Sequence, residues 1–266
     1  MKITFLGTSH GVAEKNRFLS STLITVGDNN YIIDTGAPIM TLLQNYDVKF
    51  DSIKGMFITH THFDHTVGFI DFFAELNIFD WFHKLNIPML VPDEKLFNNI
   101  FKFLVDCPEF EFPVKTLHYK EKPIFSENFE GPIKLSKYSE GVIFDDGTLK
   151  VTAIPNKHRD NSYSFYIEAE GKKFVFSGDL WHDMPDYPKV ITDREDDLDF
   201  LVLEAAHTDF SKPETVELVK KSKVKKIFIN HRGPVLNPKN VIDDFAEKLK
   251  DKIEVIDSYD GLIVEI

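Results

Sequence analysis

Residues 60–65 read His60-Thr61-His62-Phe63-Asp64-His65, four metal-competent side chains in six positions. No other stretch of the chain constrains its fold as strongly. Imidazole and carboxylate donors without a thiolate suit zinc, and also iron, manganese or nickel. The preceding run, Lys54-Gly55-Met56-Phe57-Ile58-Thr59, is short and apolar and reads as a buried strand. The following run, Thr66 to Leu76, reads as the start of a helix. The cluster is therefore expected on a strand-to-helix loop at a strand's C-terminal end, where α/β folds build their sites. A closed structural zinc site often includes cysteine, and this stretch has none. The competing reading, a solvated histidine-rich loop, fits poorly with three His and one Asp at this density.

At 266 residues the chain can bury a full core. A net charge of −12 argues against broad, nonspecific nucleic-acid binding, which relies on Lys and Arg, while leaving room for a local basic patch. Cys107 is the single cysteine, so no intrachain disulfide forms, as expected in a reducing compartment. The first strand-like residues meet Gly7 at once, without the apolar region of a signal peptide. No apolar stretch approaches the roughly 18–20 residues of a membrane span. The expected location is the cytoplasm, with no membrane partner. No repeat or low-complexity linker is visible, so residues 1–266 are expected to form one domain.

Alternation and turn residues place strands at 2–6, 21–26, 31–33, 88–91, 148–154, 163–168, 172–176, 199–204, 226–230 and 261–266. Helices are expected at 38–45, from 68 to about 82, from 93 to about 105, at 213–221 and from 238 to about 249. Residues 107–143 carry a weak pattern and are expected to hold short strands and loops that could shape a pocket. Phe69, Phe72, Phe73, Leu76, Phe79 and Phe82 recur at helical spacing, which normally means core; a wall facing substrate or a homodimer surface are the other readings. The loop Gly7-Thr8-Ser9-His10-Gly11 could bring backbone close to a ligand, and His10 could touch substrate or sit on the surface. Asp34 could orient a metal ligand, or cap the helix that follows it.

Ligand-type residues recur after apolar strands: the first cluster, then His158, Asp179, His207 and His231. Strand ends on one edge of a sheet converge in space. His60, His62, Asp64, His65, His158, Asp179 and His231 make seven candidate ligands, too many for one tetrahedral zinc. Seven suit two metals about 3.5–4 Å apart with a bridging carboxylate.

At this point the chain resembles the metallo-β-lactamase fold superfamily of binuclear metallohydrolases. Its first motif, H-x-H-x-D-H, is matched in full by His60, His62, Asp64 and His65. Later motifs are matched in order by His158, by Asp179 in Ser177-Gly178-Asp179, and by His231 after Ile227-Phe228-Ile229-Asn230. Leu6-Gly7-Thr8 and Ile32-Ile33-Asp34-Thr35-Gly36 are similar to its ribonuclease Z-like and phosphodiesterase branch. The resemblance implies an α/β four-layer αββα sandwich with the binuclear site at the strand ends. It implies that His60, His62 and His158 hold one metal, that Asp64, His65 and His231 hold the other, and that Asp179 bridges them. Zinc is the default, with manganese or iron as alternatives. The metals would share a hydroxide, oriented by Asp64, that attacks phosphorus or a carbonyl carbon. A histidine at 62, where the oxygen-reducing di-iron branch has an acid, points to a hydrolase.

His207 loosely matches a histidine of the ribonuclease Z-like branch that contacts phosphate and protonates the leaving group; a helix-cap or surface role is the bland alternative. Glu204 could orient His207 or a ligand, or be a partly exposed strand-end carboxylate. His182 could border the pocket, and His83 and His118 read as ordinary surface residues. Ribonuclease Z enzymes carry a long tRNA-clamping arm between the third-histidine and bridging-aspartate motifs, whereas a single hairpin separates His158 from Asp179 here. The expected substrate is a small or cyclic anionic phosphodiester rather than nucleic acid. The alternatives are a lactone or thioester, tRNA 3′-processing, and a metal-holding sensor without turnover.

Overall fold

The computed structural model describes residues 1–83, 85–106, 131–180 and 197–266, with side chains for all of these except 77–83, 105 and 106. Cys107, His118 and His182, the side chain of His83, and most of the weakly patterned stretch lie outside the described residues. Among the described residues two seven-stranded sheets form. The first runs in the spatial order β14 (Ile263–Glu265), β1 (Lys2–Gly7), β2 (Ser21–Val26), β3 (Asn29–Ile33), β4 (Ile53–Phe57), β5 (Ile87–Val91) and β6 (Ile133–Lys137). The second runs β13 (Glu254–Asp257), β12 (Lys226–Arg232), β11 (Phe200–Ala205), β10 (Lys172–Phe176), β9 (Tyr163–Ala169), β8 (Leu149–Pro155) and β7 (Gly141–Asp145). Each sheet is half antiparallel and half parallel: β3 to β6 pair parallel, as do β10 to β13.

Successive side chains on a strand point to opposite faces, and this alternation builds the layers. Ile3, Phe5, Ile24, Tyr31, Ile33 and Phe57 join Phe165, Ile167, Phe174, Phe200, Val202 and Phe228 in a core between the sheets. Leu6, Leu23, Ile32, Met56 and Met89 face the other way, onto α1 (Ile39–Asn45), α3 (Gly68–His83) and α4 (Glu94–Asp106). Leu201, Leu203, Ile227 and Ile229 pack on the two later helices, α5 (Pro213–Lys221) and α6 (Lys239–Leu249). The result is the expected four-layer αββα sandwich.

The aromatic excess goes largely to these cores. Phe69, Phe72, Phe73 and Leu76 of α3 are buried within the chain, so these four are core rather than a substrate wall or a dimer surface. Burying each such side chain contributes roughly 1.5–3 kcal/mol. Phe79 and Phe82 fall where side chains are not described.

Three expectations are corrected here. Helix begins earlier than Thr66: the short α2 spans Phe63–Thr66, so Asp64 and His65 lie in a helical turn rather than in a loop. Strand β13 lacked any local signal. Gly7 ends β1 rather than opening the loop, and its backbone packs on the segment just before β2: a Cβ there would lie 1.8 Å from the Leu19 carbonyl oxygen.

Candidate metal centre

The parallel halves of both sheets end on one edge, and most of the candidate residues follow those ends. Asp34 follows β3, His60 follows β4, Asp179 follows β10, and His158 lies in the loop between β8 and β9. His231 lies inside β12 rather than after it. Glu204 pairs with Asn230 but Ala205 pairs with Arg232, so His231 is the extra residue of a β-bulge, at φ 48°. Bulges re-aim side chains, and a non-glycine residue at positive φ costs about 1–3 kcal/mol and clusters at functional sites. Asp34 adopts the same left-handed region, at φ 60°.

All seven candidate ligands converge. On one side, His62 Nδ1 lies 3.0 Å from both His60 Nε2 and His158 Nε2. Asp179 Oδ2 lies 3.7 Å from each of those Nε2 atoms. On the other side, Asp64 Oδ2 lies 3.5 Å from His65 Nε2 and 3.6 Å from His231 Nε2. Asp179 spans the two groups, with Oδ1 3.3 Å from His65 Nε2 and Oδ2 3.1 Å from His231 Nε2.

The donor set fits metal ions. One ring nitrogen offers a single proton or lone pair, so His62 Nδ1 cannot serve both neighbours well. Nitrogens each 2.0–2.1 Å from a tetrahedral zinc stand about 3.3 Å apart, close to these spacings. Among the described residues, His65 Nε2 and Asp179 Oδ1 are buried without a hydrogen-bond partner, the condition of donors aimed at a common cation.

Surrounding residues hold the imidazoles in place. Asp34 accepts hydrogen bonds from Thr59 N at 2.8 Å and from Thr59 Oγ1, and its Oδ2 lies 2.7 Å from His65 Nδ1. It therefore orients His65, and α1 has no side-chain cap. Glu204 is buried, not partly exposed. It accepts from Ala206 N, His207 N and Thr208 Oγ1 at 2.7–2.8 Å, holding the loop that carries His207. His207 Nδ1 lies 3.4 Å from Glu204 Oε2 and 3.7 Å from Asp179 Oδ2, so this histidine joins the cluster. His10 instead sits 3.7 Å from Glu14 and outside the grouped His and Asp residues. Gly11 does approach the site: a Cβ there would lie 3.9 Å from Asp64 Oδ2.

The electrostatics follow from burial and these pairings. Burial, then the charge of His65, pushes His60 well down, and burial lowers His158 to about 4. Burial, then the Arg159 guanidinium, lowers His62. Burial would raise Asp179, but the charges of His231, His65 and His60 outweigh it and hold the carboxylate ionised. Burial would lower His65 and His207; Asp179 and Asp34 raise the first, and Glu204 raises the second. Thr59 and Arg159 escaped the sequence reading. Arg159 had one available signal, its place directly after His158 in a polar loop.

Comparison with known proteins now adds the family. The profile of the anti-Pycsar protein Apyc1 family matches residues 1–252. The chain belongs to that family. Among solved structures, this Apyc1-family chain is similar to the metallo-β-lactamase fold protein YhfI of Bacillus subtilis, with a TM-score of 0.72, 17% identity, and 100% and 99% of the two chains covered. A diphosphatase of the PhnP family gives 0.68 at 16% identity, covering 100% and 97%. Zinc-bound PqqB of Methylobacterium extorquens gives 0.67 at 12% identity, covering all of both chains. These likenesses show the metallo-β-lactamase fold. Ribonuclease Z of Prochlorococcus marinus is 26% identical over 178 residues, 66% of this chain and 52% of that protein. Ribonuclease Z of Bacteroides thetaiotaomicron is 25% identical over 189 residues, 71% and 53% respectively. The chain thus spans about half the length of these curated relatives.

Proposed function

We propose that this Apyc1-family chain is a metal-dependent hydrolase of small or cyclic phosphodiesters. In this reading residues 1–266 act as one domain, and the seven residues would hold two divalent ions, zinc by default, with Asp179 as the ligand common to both. A pair of such ions supplies a nucleophile at neutral pH and offsets phosphate charge, so an acidic protein need not repel an anionic substrate. The observation that carries the reading is His207. Its ring lies beside Asp179, and Glu204 favours its protonated form against burial. It would bind a phosphate oxygen and donate its proton to the leaving oxygen. Asp64, within 3.6 Å of His65 and His231, would orient the attacking water. A cytoplasmic setting belongs to the same proposal and is supported by the single cysteine. No helix among the described residues is long and apolar enough to cross a membrane.

The test is the initial rate of the metal-loaded protein on a chromogenic phosphodiester, beside Asp179→Ala and His207→Ala. The expected result is a rate abolished by the first change and lowered about 10²–10⁴-fold by the second. No rate, with two metals bound per chain, would reject the proposal and bring lactones and thioesters forward; inactivity on those as well would leave a metal-holding sensor. A second reading, tRNA 3′-processing, is favoured by the likeness to ribonuclease Z. Between His158 and Asp179 the chain has room only for the β9–β10 hairpin, which is why it stands second. Cleavage of a precursor tRNA would promote it.

A further inference from the structure

We propose that Arg159 is a specificity-determining residue that binds the non-bridging oxygens of an anionic substrate and so favours phosphodiesters over neutral esters. This rests on the phosphodiester reading and names the residue that would select for it. Arg159 directly follows His158, whose Nε2 lies 3.0 Å from His62 Nδ1. Of the charged groups acting on His62, Arg159 acts most strongly, ahead of Asp179 and Asp64. Its side chain is exposed, and no carboxylate among the described residues forms an ion pair with it.

The loop that carries Arg159 is tied at both ends. Asn156 N donates to Ser162 O at 3.0 Å, closing the loop. Asn156 Nδ2 reaches Ser177 O at 3.2 Å, beside the Asp179 turn, while its Oδ1 accepts from His158 N at 3.3 Å. Asn161, at φ 56°, donates through Nδ2 to Asp93 Oδ2 at 3.4 Å. The backbone at Arg159 is thus ordered by hydrogen bonds next to His158, which itself lies against His62, and the exposed guanidinium is near enough to act on the His62 charge.

A cation beside residues that gather cations is repelled by them unless an anion lies between. A phosphodiester supplies that anion, and the planar guanidinium fork matches two phosphate oxygens at once. A neutral lactone or thioester gives Arg159 no such partner.

The test uses the full chain loaded with zinc, as wild type, Arg159→Gln and Arg159→Lys. Zinc content and thermal midpoint serve as controls, and Arg159 is exposed, so folding should be retained. Binding of inorganic phosphate is measured by calorimetry at one ionic strength, and KM and kcat on a chromogenic diester are measured alongside. The Gln variant should bind phosphate on the order of tenfold to a hundredfold more weakly, with Lys in between and with the diester loss falling mainly on KM. Phosphate affinity of the Gln variant within twofold of wild type, or no phosphate binding by wild type, overturns the proposal. Diester turnover is read separately: wild type that binds phosphate through Arg159 but cleaves no diester would reject the functional reading and keep the anion site.

Discussion

Asp34 allows orientation of a ligand to be separated from packing. It is buried, and it serves Thr59 N, Thr59 Oγ1 and His65 Nδ1 at once. Asp34→Ala removes a charged acceptor from three donors that water barely reaches. Hydrogen bonds to charged groups contribute about 1.5–3 kcal/mol each. Neighbouring losses overlap, so the expected cost is about 3–5 kcal/mol, against a typical total of 5–15 kcal/mol. In a chain of this size that lowers the thermal midpoint by about 6–20 °C.

Asp34→Asn behaves differently. Asparagine tolerates the left-handed backbone at φ 60° and keeps one oxygen for Thr59 N. Its amide N–H then faces His65 Nδ1, which must become an acceptor. The ring proton moves to Nε2, the atom aimed at Asp64 and Asp179, and a protonated nitrogen cannot hold a metal. The Asn variant should fold close to wild type yet bind one metal equivalent tenfold to a hundredfold more weakly. Competition with a chromogenic chelator measures the affinity, and thermal unfolding of the metal-free protein measures the packing. Two metals bound at wild-type affinity by Asp34→Asn would refute the orienting role.

Three further outcomes are expected. Gly7→Ala should cost about 4 kcal/mol or more, because the new Cβ meets the Leu19 backbone and cannot be accommodated by a rotamer change; a midpoint shift under 5 °C would contradict this. Burial would raise Asp146, but its hydrogen bonds from Tyr31 and the backbone N–H groups of Thr148 and Leu149 outweigh it and lower its pKa. Its contribution is therefore present above the ordinary carboxylate pKa and lost as pH falls through the lower folded value. Asp146 is exposed, so solvent screens these interactions; Asp146→Asn should lose no more than about 1 kcal/mol at pH 7 and flatten that acid limb, as denaturant titrations from pH 2 to 7 would reveal. Chelation of a metal-loaded sample should lower its midpoint, since a ligand held at 100 times its Kd contributes about 2.7 kcal/mol; identical melting curves would argue against a metal centre.

The local code was plain in the chain. Alternating apolar residues marked most strands, and the helix at Pro213–Lys221 emerged with its predicted ends. The seven candidate ligands could be named because each follows, or lies within, a run whose periodicity is its own. That much depends on neighbours a few residues away. Other features depend on partners far along the chain. Strand β13 is a short edge strand whose pairing with β12 gives it its conformation. Asp34 meets His65 only because β3 and β4 lie side by side, so its choice between cap and orienting group could not be made locally. The bulge that turns His231 inward arises from a register shift between β11 and β12. Arg159 gains meaning only when the β8–β9 loop lands beside His62. Periodicity and turn chemistry are local and thus written in the sequence. Register, bulges and cross-sheet hydrogen bonds are settled by packing two sheets together, and only the tertiary structure holds that information.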